Sequence, residues 1–237
     1  MTVALLTAAG TGTRMGQNVP KQFIHVDEKP IIIYTMEAFQ KHPNIDYIIV
    51  VTLPAWIEVL EAYARQFNIT KLKWIVAGGE TGQESIYKGL LALEKELKPD
   101  DLVMVHDGNR CMVSDEIISN SIATFHTHGS AVAAIPCVEA VFRSDDNGVS
   151  SNISIPREQL YRTQTPHTYT LEKLIWAHEE ANKRGITNSV ASCTLMQALG
   201  EKIYFSKGSE ENLKITTKDD LTIFKALLDS KKESWVK

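Results

Sequence analysis

Short apolar runs alternate with longer amphipathic stretches along most of this chain, and that alternation constrains the fold more than any other feature. Residues 3–8 read as a buried strand, 31–40 as a helix, 47–52 as a strand, and 54–67 as a helix with Pro54 near its start. The pattern continues with a strand at 73–76, a helix at 83–97, a strand at 102–106, a helix at 114–126 capped by Ser114, and a strand at 131–136. Strands separated by helices need crossover connections, so the expected fold is α/β, a doubly wound and mainly parallel sheet. The rhythm breaks between residues 138 and 165, where short strand-like runs flank a turn at Asp146-Asn147-Gly148. That segment is expected to protrude as a β-arm. Helical pattern returns over 171–183 and 192–199, and a strand at 202–205, residues 212–216 and a helix at 218–228 follow. With no internal repeat and no Pro/Ser linker, residues 1–237 read as a single domain carrying an arm at about 138–165.

Composition narrows the classes. Of 237 residues, 43% are hydrophobic, enough for a substantial core, and the net charge of −4 makes the chain a poor candidate for wrapping nucleic acid. Three cysteines without a CxxC spacing argue against a disulfide framework or a zinc knuckle. No apolar run approaches the roughly 18 residues that would span a bilayer. The first residues lack the basic segment of a signal peptide. A cytoplasmic protein with no nucleic-acid or membrane partner is expected.

The strongest local signal follows the first strand: Ala8-Ala9-Gly10-Thr11-Gly12-Thr13-Arg14-Met15-Gly16, then Pro20-Lys21-Gln22-Phe23. Glycines after a strand let backbone N–H groups turn toward an anion. A lone Gly-rich loop is more often an ordinary tight turn, and two rival loops compete with it. A dinucleotide loop needs G-x-G-x-x-G opening a helix, but here Arg14 occupies the tract and Gly16 comes one residue late. A P-loop needs Gly-Lys-Ser/Thr, which is absent. Two cations beside the loop favour a phosphate site: Arg14 can fork onto phosphate oxygens, and Lys21 is a compact point charge.

With Ala-Ala-Gly-x-Gly-x-Arg-Met-Gly and Pro-Lys-Gln together, the chain resembles the methylerythritol-phosphate and ribitol-phosphate cytidylyltransferase family. The other matches come in the family's order: Gly78-Gly79 with Ser85, His106-Asp107-x-x-Arg110, Arg157, Gln164-Thr165-Pro166, and Asn212-Leu213-Lys214-Ile215-Thr216. The resemblance implies a Rossmann-like nucleotide-binding sheet of the nucleotide-diphospho-sugar transferase type. It also implies CTP as co-substrate, a magnesium ion, and a homodimer formed through the arm. Ala8, Ala9, Gly10, Thr11 and Gly12 would hold the triphosphate and base, and Gly79 and Ser85 the cytosine and ribose. Arg14, Lys21 and Lys214 would act at the α-phosphate, and Asp107 would bind the metal. Arg110, Thr165 and Arg157 would bind the acceptor, Arg157 from the partner's arm. If this holds, Lys21 and Lys214 must open onto one concave basin.

Several positions depart from the family pattern. Gly82 stands where an arginine is usual, Gly108-Asn109-Arg110-Cys111 replaces Ala-x-Arg-Pro, and Glu139-Ala140 replaces Asp-Thr. Thr-Asp aligns without a gap to Val190-Ala191, although Thr187-Asn188 could serve if the loop is one turn longer, and His167 stands where glutamine is common. Most of these fall on the acceptor side. The expected activity is transfer of CMP from CTP to a sugar-alcohol phosphate, with the motifs at 164–166 and 213–217 closer to the ribitol-phosphate branch, which feeds surface-polymer synthesis. Because the arm threonine is lost, which departs from both branches, a related polyol phosphate is a further acceptor; the alternatives are the methylerythritol-phosphate enzyme of isoprenoid synthesis and a non-catalytic nucleotide-binding protein. A nicotinamide-dependent oxidoreductase is disfavoured by the loop spacing.

Overall fold

The first strand, β1 (Thr2–Ala8), is apolar almost throughout because helices cover both faces of the sheet at its centre. A computed structural model of the chain describes residues 1–10 and 19–232. After β1, the short pair β2 (His25–Val26) and β3 (Lys29–Pro30) leads into α1 (Ile31–Lys41). Then come β4 (Tyr47–Thr52), α2 (Ile57–Gln66), β5 (Leu72–Ala77), α3 (Gly82–Glu94), β6 (Leu102–Asp107), α4 (Asp115–His128) and β7 (Ala131–Pro136). The remainder comprises β8 (Val141–Arg143), β9 (Ile153–Ile155), β10 (Tyr161–Thr170), α5 (Leu171–Lys183), α6 (Ser192–Ala198), β11 (Phe205–Lys207) and α7 (Lys218–Lys232).

Seven strands form the main sheet in the order β11-β7-β10-β6-β1-β4-β5. β1 runs parallel to both β4 and β6, β5 is parallel to β4, and β11 is parallel to β7. The α/β class and mainly parallel sheet are therefore as expected. Alternate residues of each strand face opposite layers. Leu5, Val51, Val105 and Val132 pack against α3, α5 and α6, while Leu6, Val50 and Met104 pack against α1, α2 and α4. Cutting Leu5 or Leu6 to alanine would cost about 2–5 kcal/mol, since both are fully buried.

Local chemistry sets the helix limits. The Ser114 hydroxyl accepts from Ile117 N–H at 3.3 Å to open α4, and Gly129 closes it at φ 79°. Thr81 caps α3 and Thr170 caps α5. α7 begins with reciprocal bonds: Asp220 N–H donates to Thr217 Oγ1 at 3.3 Å, and Asp220 Oδ2 accepts from Thr216 and Thr217 N–H at 2.7 and 2.8 Å. Its Phe224 then packs edge-on against Tyr34 beside Ile31 and Ile215.

β10 differs from the sequence reading. It lies antiparallel between β6 and β7, and residues 161–163, assigned above to the arm, pair with β7 in the main sheet before a bulge at 164–166. The cause is composition: YRTQTPHTYT is polar and holds a proline, so it shows no strand-like apolar pattern. The rest of the segment forms the antiparallel pair β8–β9, with Asn147 and Gly148 in the left-handed region at its turn. One smaller difference lies near the C-terminus: the late strand is 205–207, not 202–205.

Candidate active site

The chain runs from β1 outward to β4 and β5, then returns to the other side of β1 as β6. Such a reversal leaves a crevice beyond the C-terminal ends of the two strands, which is where ligands settle in open α/β sheets. Here β1 ends in Ala8 and runs on through Ala9 and Gly10, and β6 ends in Asp107. A cleft of about 880 Å³ opens there. Ala8, Ala9, Gly10, Lys21, Gly79, Ser85, Asp107, Arg110, Thr165 and Lys214 all line it. Lys21 and Lys214 thus open onto the same basin, as the sequence reading required. Thr11, Gly12 and Arg14 lie outside the described residues.

Lys21 sits in a single 3-10 turn, Lys21–Phe23, next to Gln22. The buried Gln22 amide donates to the Ala8 carbonyl and, at 3.0 Å, to the Gly10 carbonyl. The lysine turn is therefore bound directly to the backbone of the glycine loop. Sequence reasoning quoted Gln22 only as part of a motif; its structural role came from a long-range contact that no local pattern reveals.

Asp107 is the electrostatic centre. Its Oδ1 accepts from Lys214 Nζ at 2.9 Å and its Oδ2 from Arg110 Nε at 2.9 Å. Burial alone would raise this carboxyl, but Lys214 and Arg110 hold it well below the usual carboxylate range. Its N–H donates to Thr165 Oγ1 at 3.0 Å, and that hydroxyl also meets His106 Nδ1 at 3.0 Å. His106 Nε2 in turn meets the Arg110 carbonyl at 3.2 Å. The pattern closes when His106 carries its proton on Nε2 and Thr165 donates to Nδ1. Thr165, expected to contact the acceptor, commits its one proton to this scaffold. His106 is fully buried against Phe39, which fits a packing role and not a metal ligand.

Two asparagines hold the lysine segment. Asn212 Nδ2 donates to the Thr165 carbonyl at 2.9 Å, and the Asn212 carbonyl accepts from Arg110 Nη1 at 2.7 Å. Asn109 Nδ2 donates to the Ile215 carbonyl, while Ile215 N–H donates back to the Asn109 carbonyl at 3.0 Å. These bonds position Lys214 between them.

On the other wall, Ser85 Oγ accepts from Gly79 N–H at 3.0 Å and donates to the Thr81 carbonyl at 2.8 Å. A Cβ on Gly78 would lie 2.3 Å from the Ala9 Cβ, so the two loops touch without a side chain between them. Gly108 is explained in the same way, because a Cβ there would meet the Thr7 carbonyl at 2.9 Å. Gly82 is open: a Cβ there meets nothing within 4 Å, leaving room for a longer side chain at the cleft. Arg157 does not line the cleft; its side chain is 60% exposed and reaches Glu158 and the Val138 carbonyl. Val190 lies at the cleft and is 93% exposed.

Burial pushes His106 down to about 3, and His167 and His178 down to about 4. A buried neutral histidine is protonated only on unfolding, so its contribution is intact above about pH 6.5 and is lost as pH falls toward 4. At pH 5, unfolding is expected to take up about three protons from these groups, as read by calorimetry in buffers of different ionisation enthalpy. Uptake near zero would show that the rings are already charged in the folded protein.

A family profile described as IspD, 2-C-methyl-D-erythritol 4-phosphate cytidylyltransferase, matches residues 2–230. The chain is 40% identical to the ribitol-5-phosphate cytidylyltransferase of Lacticaseibacillus paracasei, covering 98% of this chain and 99% of that one. It is 36% identical to the 2-C-methyl-D-erythritol 4-phosphate cytidylyltransferase of Clostridium acetobutylicum, over 96% and 97% of the two chains. In fold it is similar to the 4-diphosphocytidyl-2C-methyl-D-erythritol synthase of Anaerococcus prevotii, with a TM-score of 0.81, 24% identity and 96% of each chain covered. A profile match over residues 2–230 and a relative 40% identical over 98% of the chain establish that this protein belongs to the IspD family and is a CTP-dependent cytidylyltransferase.

Proposed function

We propose that this chain transfers CMP from CTP to ribitol 5-phosphate, releasing pyrophosphate. The observation that carries the chemistry is Asp107 held between Lys214 and Arg110, in one cleft with the glycine loop and Lys21. The choice of acceptor is supported by the relatives named for ribitol 5-phosphate, 36–40% identical, against 34–36% for those named for methylerythritol phosphate. The acceptor departures noted above are departures from both branches, so they do not favour either acceptor and leave a related polyol phosphate as a further arm of the test.

In the proposed reaction a phosphate oxygen of the acceptor attacks the α-phosphorus in line, and the bond to the β-phosphate oxygen breaks as pyrophosphate leaves. No covalent enzyme intermediate is needed. The backbone after β1, with Ala8, Ala9, Gly10, Thr11 and Gly12, cradles the triphosphate. Gly79 and Ser85 shape the nucleoside wall. Lys21, Lys214 and Arg14 offset the charge that builds on the α-phosphate oxygens. Arg110 keeps donors available for the acceptor phosphate, and Thr165 fixes the Asp107 backbone.

Magnesium fits this donor set. Among the described residues no three His, Cys, Asp or Glu side chains gather into a protein cage. Magnesium in nucleotide sites commonly takes one or two carboxylates and completes its shell with phosphates and water, so Asp107 would hold it. When bound, it would add positive charge to the triphosphate. Lys214 and Arg110 bond the Asp107 oxygens, and a metal–nucleotide complex would compete with them.

We also assign to this protein a single domain of 1–237, a cytoplasmic setting and a homodimer in which Arg157 of one chain reaches the acceptor phosphate of the other. The support is its exposure beside the β8–β9 pair, away from its own cleft. Arg157→Ala is expected to raise the KM for ribitol 5-phosphate about tenfold with little change for CTP. An effect confined to CTP would remove Arg157 from the acceptor site. The function itself is tested by pyrophosphate release with ribitol 5-phosphate and methylerythritol 4-phosphate, each offered with CTP, UTP and ATP. Preference for methylerythritol phosphate would reverse the acceptor assignment, and no release with CTP would leave a nucleotide-binding protein without catalysis.

A further inference from the structure

Three buried polar side chains reach this cleft from one layer of the fold without a partner. His167 on β10 stands in register with Val105 of β6 and Val132 of β7. Both valines pack toward α3, α5 and α6, so the His167 ring points to that layer as well. His178 comes from α5 and Ser192 from the start of α6. They are 2%, 2% and 3% exposed, and all three line the cleft. Nε2 of His178 and Oγ of Ser192 make no hydrogen bond among the described residues, and the His167 ring has only an approach to the Gln164 backbone too long or too bent to count as one. Buried polar atoms are nearly always paired, so three such side chains on one cleft wall point to a ligand.

The wall is held in place from behind. The Tyr87 ring stacks on His178 at 5.2 Å, with the planes 6° apart. Gln83 donates to the Ile186 carbonyl at 2.7 Å and accepts from Ser189 N–H at 2.8 Å, fixing the loop that leads to Ser192. In the sheet, β10 lies beyond β6 from β1, β4 and β5, whose ends carry the glycine loops.

Donor and acceptor counts identify the ligand class. A neutral imidazole offers one donor and one acceptor, and a serine hydroxyl offers both. Phosphate presents only acceptors and is better matched by Lys214 and Arg110. A run of carbon-borne hydroxyls presents both functions and matches the histidine–serine wall. We propose that His167, His178 and Ser192 form the subsite that reads the hydroxyl-bearing chain of the acceptor, apart from the cations that hold its phosphate. The proposal rests on the polyol-phosphate reading above and adds which residues measure the polyol. Burial keeps both histidines neutral near pH 7, at about 4, which preserves an acceptor on each ring.

The test offers glycerol 3-phosphate, erythritol 4-phosphate and ribitol 5-phosphate, with saturating CTP, to the wild type and to Ser192→Ala, His178→Phe and His167→Gln. Pyrophosphate release gives each acceptor KM, and a separate titration without acceptor gives CTP affinity. Ser192→Ala and His178→Phe are expected to raise the KM for ribitol 5-phosphate about 5- to 10-fold, to change that for glycerol 3-phosphate far less, and to leave CTP affinity within about twofold. His167→Gln keeps a donor and an acceptor and is expected to retain more of the discrimination than His178→Phe. Equal losses on all three acceptors, weakened CTP binding instead, or no change in any KM would overturn the subsite. Ser192→Ala removes a single atom, so it carries the test if His178→Phe does not fold. If the wild type binds CTP but releases no pyrophosphate with any of the three, the polyol-phosphate reading itself falls. Failure of the subsite alone leaves wild-type turnover intact.

Discussion

Lys21→Ala is expected to lower kcat about 100- to 1,000-fold while weakening CTP binding far less. Lys21 lines the cleft on a turn that Gln22 binds to the glycine-loop backbone, so its ammonium is fixed relative to the phosphates the loop would hold. Its charge is also felt at Asp220, where burial opposes the backbone N–H groups of Thr216 and Thr217 that, with Lys21, lower the carboxyl. A preplaced cation acts mainly on charge that develops during transfer, and that charge is small in the bound triphosphate. Stopped-flow turnover beside equilibrium CTP titration separates the two quantities. A kcat within threefold of wild type would take Lys21 out of the chemistry.

Asp107→Asn is expected to be nearly as severe, at about 100-fold in turnover, and to move the magnesium titration to higher concentration. Asparagine keeps the shape and one carbonyl oxygen but removes the anion that Lys214 and Arg110 share. Lys214 is 44% exposed and can turn to water, so the fold is expected to survive with a modest loss in melting temperature. Arg110 is more enclosed and keeps its bond to the Asn212 carbonyl. The decisive measurement is activity against magnesium concentration for both proteins. Superimposable curves would show that Asp107 positions cations and holds no metal.

Much of the fold was legible because parallel strands covered on both faces are written as unbroken apolar runs, as in residues 3–8, 47–52 and 102–106. β10 was not, because its role is set by its neighbours: a polar strand with a proline can sit in a sheet when a bulge lets residues 164–166 leave the ladder. The charged members of the site were legible for a different reason. Lys21, Asp107, Arg110 and Lys214 lie in short ordered motifs that a family resemblance can match, and the structure brings them to one cleft. Their supports were hidden. Asn109 and Asn212 act over more than a hundred residues of sequence separation, on Ile215 and for Arg110 respectively, and polar residues of this kind ordinarily read as surface. His178 and Ser192 were equally hidden, and His167 showed only as a departure from the family's glutamine, since burial without a partner is a property of three dimensions.

The place of β10 has a consequence for how the molecule comes apart. β7 and β11 connect to the rest of the sheet only through it, since β7 pairs with β10 and β11, and β6 with β10 and β1. Loss of this one strand would divide the ladder into the four strands β6, β1, β4 and β5 and an orphaned β7–β11 edge, with Thr165 torn from Asp107 and His167 from Val105 at the same moment. Breathing along this seam would part β7 and β11 from the sheet well before it reached β1, β4 and β5.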